Sequence, residues 1–394
     1  MGRKRKTCFQ CRLMSKNSNI SLQRKGIYIL FLVVCFLLLA ELIAGNFYYH
    51  QYGKRKLALV ELYHAVQSNI KEGRKKKALY KNNYQYQQWC RPDSSETMNH
   101  RVFDEMMESN RFIFDSWLSF RNADYHGSYV NINGYERRTV PSFAAKGKDT
   151  VTIWFFGGST MFGFNVTDAE TIPSQLVTLY GQTNYTASLK VVNFSVPYYF
   201  SLQEYKLFSQ LLDEQPAPDI AIFFDGLNDF WLYNNTYYQE TYFTQKLASL
   251  FKEGVSELPS NSSAVRTVKS DKPLSARQTD TLLNNYLQVT ELIKRKSTQH
   301  SIQSLFVIQP VPFYQYPNKS KDKICSREEF TLYNTIYPAL EQRSATDSSF
   351  IFFGNMLVQE KGLPFIDAIH YSPAFSKTIA ASLLDQLTSR KMMH

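Results

Sequence analysis

From about residue 100 onward, short apolar runs alternate with stretches of helical periodicity. VTIWFF (151–156), KVVNFS (190–195), DIAIFF (219–224) and SLFVIQP (304–310) read as strands. Between them, Thr171–Tyr180, Ser201–Asp213 and Thr279–Lys296 read as helices, and a further helix is expected from Pro373. The strand-like runs are mostly apolar and do not alternate, as expected where helices cover both faces of a parallel sheet. The pattern therefore predicts an α/β domain. Residues 254–276, rich in Ser, Pro and Lys, read as a long surface loop inserted into it. No internal repeat is present.

The N-terminal fifth has a different texture. Residues 26–45, GIYILFLVVCFLLLAELIAG, contain one charge, Glu41. A helix of twenty residues spans about 30 Å, the thickness of a bilayer core. The run is apolar on every face, which argues against a core helix. Phe47, Tyr48 and Tyr49 would then lie at headgroup depth. A cleaved signal peptide is the competing reading, because Ile27–Ala40 has the length of a signal core. No clean small-x-small cleavage site follows, and the 25-residue basic leader is long for a signal. An uncleaved single-pass anchor is the expectation. The positive-inside rule puts residues 1–25 in the cytosol and the rest outside it, although Lys54, Arg55 and Lys56 on the far side oppose that orientation. Residues 46–109 read as a helical stalk or linker, and 110–394 as the folded domain.

Charge sharpens this division. The 394-residue chain carries a formal +11, which by itself could signal nucleic acid or an anionic membrane surface. Residues 1–25 hold eight Lys or Arg and no acid, and residues 46–81 hold nine against Glu61 and Glu72. The basic excess thus flanks the predicted span, and residues 82–394 are slightly acidic. A membrane is the expected partner and nucleic acid is not. Five cysteines are too few for a disulfide scaffold. Cys8 and Cys11 form half of a zinc-ligand set without a second half, so neither metal nor cofactor is expected.

The P-loop, GxGxxG and HExxH signatures are absent. The esterase elbow GxSxG fails as well, because Met161 stands at its second glycine. What remains sits at strand ends. The first strand runs into Gly157-Gly158-Ser159, the second ends at Ser195, and the third leads to Asp225-Gly-Leu-Asn228-Asp229. Near the C-terminus stands Asp367-Ala-Ile-His370. In open α/β sheets ligands bind at the carboxyl ends of the strands. A serine needs a base to become a nucleophile, and the histidine base needs an acceptor to fix its tautomer. Ser159, His370 and Asp367 have these roles by type. The backbone N–H groups of Ser159 and Ser195 and the Asn228 amide are candidate oxyanion donors.

The blocks FGGST (156–160), VVNFSVP (191–197), DGLND (225–229) and IDAIH (366–370) resemble the four blocks of the SGNH/GDSL hydrolases, in the branch with GGS in place of GDS. DAETIPSQL (168–176), SLQEYKL (201–207) and HYSPAFSKTIAASL (370–383) follow the same family's text, so the resemblance covers about residues 110–390. It implies a flavodoxin-like three-layer α/β/α domain with a central parallel sheet. It also implies Ser159 as nucleophile, Asp367 and His370 as its partners, and Ser159, Ser195 and Asn228 as oxyanion donors. Ser195 departs from the family's glycine, and its Cβ restricts φ and could narrow the cleft.

The expected activity is that of a membrane-anchored serine esterase acting on O-acyl esters of envelope glycans or lipids. Acyl transfer by the same triad is an alternative. A third reading is a silent domain that binds glycan through Tyr198, Tyr199, Phe230, Trp231 and Tyr233 or scaffolds envelope-assembly partners. Cys90 and Cys325 form a disulfide or remain free thiols. Six N-x-[ST] triplets follow the predicted span, beginning at Asn165, Asn184, Asn193, Asn234, Asn261 and Asn318. A glycan on Asn193 would obstruct the predicted site, which favours a bacterial periplasmic setting.

Overall fold

The computed structural model describes residues 27–40, 43, 87, 90–230, 274–317 and 327–393. The chain divides into two units, 1–81 and 82–394.

In the first unit, residues 27–40 are helical and exposed on all sides. Phe31 and Leu32 are typical, with more than half of their surface open. Among the described residues no helix is long and apolar enough to cross a membrane. The remainder of the predicted span, the tail with Cys8 and Cys11, and the basic stalk through residue 86 lie outside the described residues.

The second unit begins with α1 (Glu96–Ser109), capped by the Ser95 side chain, which accepts from the Met98 N–H. A separate hairpin follows, β1 (Phe112–Asp115) against β2 (Ser119–Asn122). Four short strands, β3 (Tyr125–His126), β4 (Asn131–Asn133), β5 (Glu136–Arg137) and β6 (Phe143–Ala144), then form an antiparallel flap at one edge of the main sheet.

The sheet's centre is parallel. Its strands are β7 (Thr150–Gly157), β8 (Ser188–Asn193), β9 (Ile220–Asp225), β10 (Gln303–Ile308) and β11 (Phe350–Phe352). Their spatial order is β8-β7-β9-β10-β11. That is the 2-1-3-4-5 order of flavodoxin-like folds. The four strands predicted from apolar runs are all present, shifted by at most two residues at either end. β11 is only three residues long and was not among the predicted strands.

Alternate side chains of each strand enter opposite layers, as the pleat requires. Trp154, Phe156 and Phe223 face α4 (Ser201–Glu214), α5 (Ala276–Gln299) and α6 (Arg327–Thr346). Ile153, Phe155 and Ile222 face α3 (Ile172–Gly181) and α7 (Pro373–Ser389). Fully burying one such side chain contributes roughly 1.5–3 kcal/mol. Of the loop expected over 254–276, residues 254–273 lie outside the described residues, and the rest opens α5 through the Ser275 capping box.

Helix starts also follow local chemistry. Thr171 accepts from the Ser174 N–H to cap α3, with Pro173 in the first turn. Ser372 caps α7 in the same way, with Pro373 at its first position.

Candidate active site

β7 runs straight into the four-residue helix α2 (Ser159–Phe162), whose N-cap is Gly158. The glycine is needed there. A Cβ at residue 158 would fall 2.3 Å from Asn228 Nδ2, so a side chain would push the Asn228 amide away from the Ser159 turn. Thr160 Oγ1 donates to Gln309 Oε1 at 2.7 Å, and Tyr371 Oη reaches the Pro310 carbonyl at 2.7 Å. The Ser159 turn and the turn after His370 are thus both fastened to the end of β10.

Between β11 and α7, Asp367 organises its own turn. Its Oδ1 accepts the backbone N–H groups of Ile369 (3.0 Å) and His370 (2.9 Å). The chain then returns through the Ile366 N–H to His370 carbonyl bond at 2.8 Å. This folding-back brings the histidine over the sheet edge. His370 Nδ1 lies 2.7 Å from Asp367 Oδ2, and His370 Nε2 lies 2.8 Å from Ser159 Oγ. The carboxylate only accepts, so Nδ1 carries the proton and Nε2 is free to accept from the serine hydroxyl. Ser159, His370 and Asp367 form one continuous relay across 211 positions of sequence. Burial alone would push the Asp367 carboxyl up. The His370 charge, the ring hydrogen bond and the two backbone donors outweigh it, and the group titrates below its ordinary range.

The oxyanion candidates gather more loosely. The Ser195 N–H donates to Asn193 Oδ1 at 3.1 Å, within its own segment. Asn228 Nδ2 donates one hydrogen to the Tyr199 carbonyl at 2.6 Å, leaving its second for another acceptor. The serine at 195 is not strained. It is absent from the described residues with positive φ, so this backbone does not call for glycine. Its hydroxyl is buried without a hydrogen-bond partner among the described residues.

Several residues of the site had no visible signature. Asn165, in left-handed conformation at φ 67°, donates its Nδ2 to Asp367 Oδ2 at 2.6 Å. The ring of Phe164 lies 4.7 Å from that of His370. In sequence, Asn165 and Asn193 read as glycan acceptors. Both are buried, and Asn193 Nδ2 donates to the Met161 carbonyl at 3.3 Å. Of the aromatics considered for sugar stacking, Tyr199 and Phe230 are core residues, and Tyr198 packs partly buried on Phe112. Trp231 and Tyr233 lie outside the described residues. Cys90 approaches the Phe365 carbonyl at 3.7 Å, and burial raises its thiol to about 11. Cys325, its partner in the disulfide alternative, lies outside the described residues.

Behind Asp225 and Asn228 sits a second group of acids. Glu204 from α4, Asp225 and Asp229 are all buried, and Tyr286 Oη donates to Asp225 Oδ2 at 3.2 Å. Ser201 donates its N–H (3.1 Å) and its hydroxyl (2.5 Å) to Asp229 Oδ1. Burial first, and then their mutual repulsion, raises Glu204 and Asp225 well above the carboxylate range; burial lifts Asp229 to about 6.

No protein-family model and no curated protein matches the sequence. Solved structures do resemble the fold. A member of the lipolytic G-D-S-L family from Veillonella parvula is 10% identical, with 60% of this chain and 98% of that one covered and a TM-score of 0.39. A carbohydrate acetylesterase family member from Sinorhizobium meliloti is 12% identical over 61% and 98%, with a TM-score of 0.39. The psychrotrophic esterase EstA from Pseudoalteromonas sp. is 15% identical over 60% and 97%, with a TM-score of 0.34. Similarity at this level carries no weight for the chemistry, which rests on the atoms just described.

Proposed function

We propose that this chain is a serine hydrolase of the SGNH/GDSL type that cleaves acyl esters through a Ser159 acyl-enzyme. The observation that carries the reading is the unbroken relay from Ser159 Oγ through His370 to Asp367, at 2.8 and 2.7 Å. His370 takes the serine proton as Oγ attacks the ester carbonyl, and returns a proton to the leaving alcohol. Asp367 holds the imidazole in its tautomer and stabilises the imidazolium. The oxyanion is met by the Ser159 N–H and by the second hydrogen of the Asn228 amide. Water, or a sugar hydroxyl in an acyltransferase, then releases the acyl group by the same proton path in reverse.

We further propose that the domain is presented outside the cytosol by a single-pass anchor at residues 26–45, with O-acyl groups of envelope glycans or lipids as substrates. What supports this is the all-round apolar helix at 27–40 and the basic residues flanking the predicted span. A silent, glycan-binding or scaffold role draws support from one observation, that the Ser195 N–H is already spent on Asn193.

Labelling with a serine-reactive phosphonate separates these readings. Wild type is expected to label and to hydrolyse a p-nitrophenyl ester, and Ser159→Ala to do neither. Absence of labelling and turnover in the wild type would sink the enzymatic reading.

A further inference from the structure

Asp367 has a fourth donor outside the triad. Asn165 Nδ2 lies 2.6 Å from Asp367 Oδ2, the same oxygen that faces His370. A carboxylate accepts only, so the amide nitrogen must be the atom that faces it. The other end of the amide, Oδ1, is buried with no hydrogen-bond partner among the described residues. Burying an unmet acceptor is costly, and an asparagine retained for packing alone would have no reason to bear that cost.

The backbone carrying Asn165 is held from the far side. Its carbonyl accepts from Gln87 Nε2 at 3.0 Å and from Arg91 Nη2 at 3.3 Å. Arg91 grips Glu170 with two nitrogens, Nε to Oε1 at 2.7 Å and Nη2 to Oε2 at 2.5 Å. Glu170 in turn closes a capping box on Thr167, accepting its N–H at 2.9 Å. A second pair, Arg137 Nε to Asp168 Oδ1 at 2.9 Å, pins the same loop, and Arg137 Nη2 reaches the Val166 carbonyl at 3.1 Å. One buried and one partly buried ion pair thus fix residues 165–170. Gln87 and Arg91 precede the region that carries the four sequence blocks, in what reads from sequence as stalk.

We propose that Asn165 is a positioning residue for the triad acid, and that Gln87 and Arg91 anchor it, making the end of the stalk a working part of the active site. The proposal rests on the serine-hydrolase reading above. Asn165 locks the Asp367 carboxylate in the plane in which Oδ2 meets His370. By drawing charge from that oxygen it also limits how strongly the imidazolium is stabilised.

The test uses the full-length chain in detergent, with p-nitrophenyl acetate and a fluorophosphonate as probes. Asn165→Gly removes the amide and suits the left-handed backbone, so it isolates the side chain from the turn. We expect kcat to fall about 10- to 100-fold with KM nearly unchanged, and the acid limb of the kcat/KM profile to move to higher pH. In an Asp367→Asn background the same substitution should have almost no further effect, because both act through one group. If Asn165→Gly does not fold, Asn165→Asp takes its place. It keeps the shape and sets a like charge against Asp367, and its activity should recover as the pH is lowered and the new carboxyl becomes a donor. A folded variant with wild-type kcat and pH profile overturns the proposal, as does an equal loss in both backgrounds. Turnover surviving in Ser159→Ala would instead overturn the underlying hydrolase reading.

Discussion

Asp367 beside His370 and the group formed by Glu204, Asp225 and Asp229 respond to enclosure in opposite ways. Asp367, with 16% of its side chain exposed, accepts four hydrogen bonds and faces an imidazole. Its proton affinity falls despite desolvation. Glu204, Asp225 and Asp229 are enclosed with few donors and with each other for company, and their affinities rise. The same chemical group gives up its proton more readily in one place and less readily in the other. Donors and neighbouring charge decide this, and burial only raises the stakes.

The comparison is broken most severely at Asp367. Replacing it by Asn keeps the shape but turns the acceptor facing His370 Nδ1 into an amide that can present a donor. The expected loss is about 10⁴-fold in kcat, read from ester turnover at neutral pH. A loss under tenfold would mean that the carboxylate's charge does little for the histidine.

The next effect is on stability and comes from the other group. Asp229 is raised to about 6, above its ordinary value of roughly 3.9. Its contribution is therefore full below about pH 4 and lost as the pH rises through 6, by up to ~3 kcal/mol. Glu204 and Asp225 extend the same slope to higher pH. Asp367 runs the other way, because its depressed value gives a contribution present above about pH 4 and lost on acidification. Urea unfolding of Ser159→Ala from pH 4 to 8 measures the balance without interference from turnover. Stability rising steadily across that range would contradict the raised values.

A smaller change sharpens the contrast within the acid group. Ser201 gives Asp229 two of its donors. Ser201→Ala removes the hydroxyl and leaves the N–H, at an expected cost of about 1–2 kcal/mol. The loss should be greater at pH 8 than at pH 5, since only the ionised carboxylate is deprived. Equal losses at both values would show that the hydroxyl serves packing rather than charge.

Much of the domain was legible in local pattern. Four apolar runs became the central strands because buried parallel strands must be apolar on both faces, a property each run carries within itself. Ser159, Asp367 and His370 were legible because each stands next to a strand end or cap with its own signature. Asn165 was not, since its local text, Asn-Val-Thr, points to a glycan. Its role depends on Asp367, 202 residues away. Arg91 was assigned to a stalk because its own neighbourhood is polar, and only its pairing with Glu170 brings it into the domain. The Ser195 departure looked like strain, and the observed φ removes that concern while exposing another, an N–H already engaged by Asn193.

By itself, then, the sequence determined the layers of this protein, the positions of its strand ends and the serine, aspartate and histidine that stand beside them, because periodicity and turn chemistry act over a few residues. Tertiary structure alone decided which acid holds its proton more tightly, which donors meet which acceptors and which distant loop reaches Asp367. Those properties depend on which groups meet across long closures of the chain, and on how much water is left between them when they do.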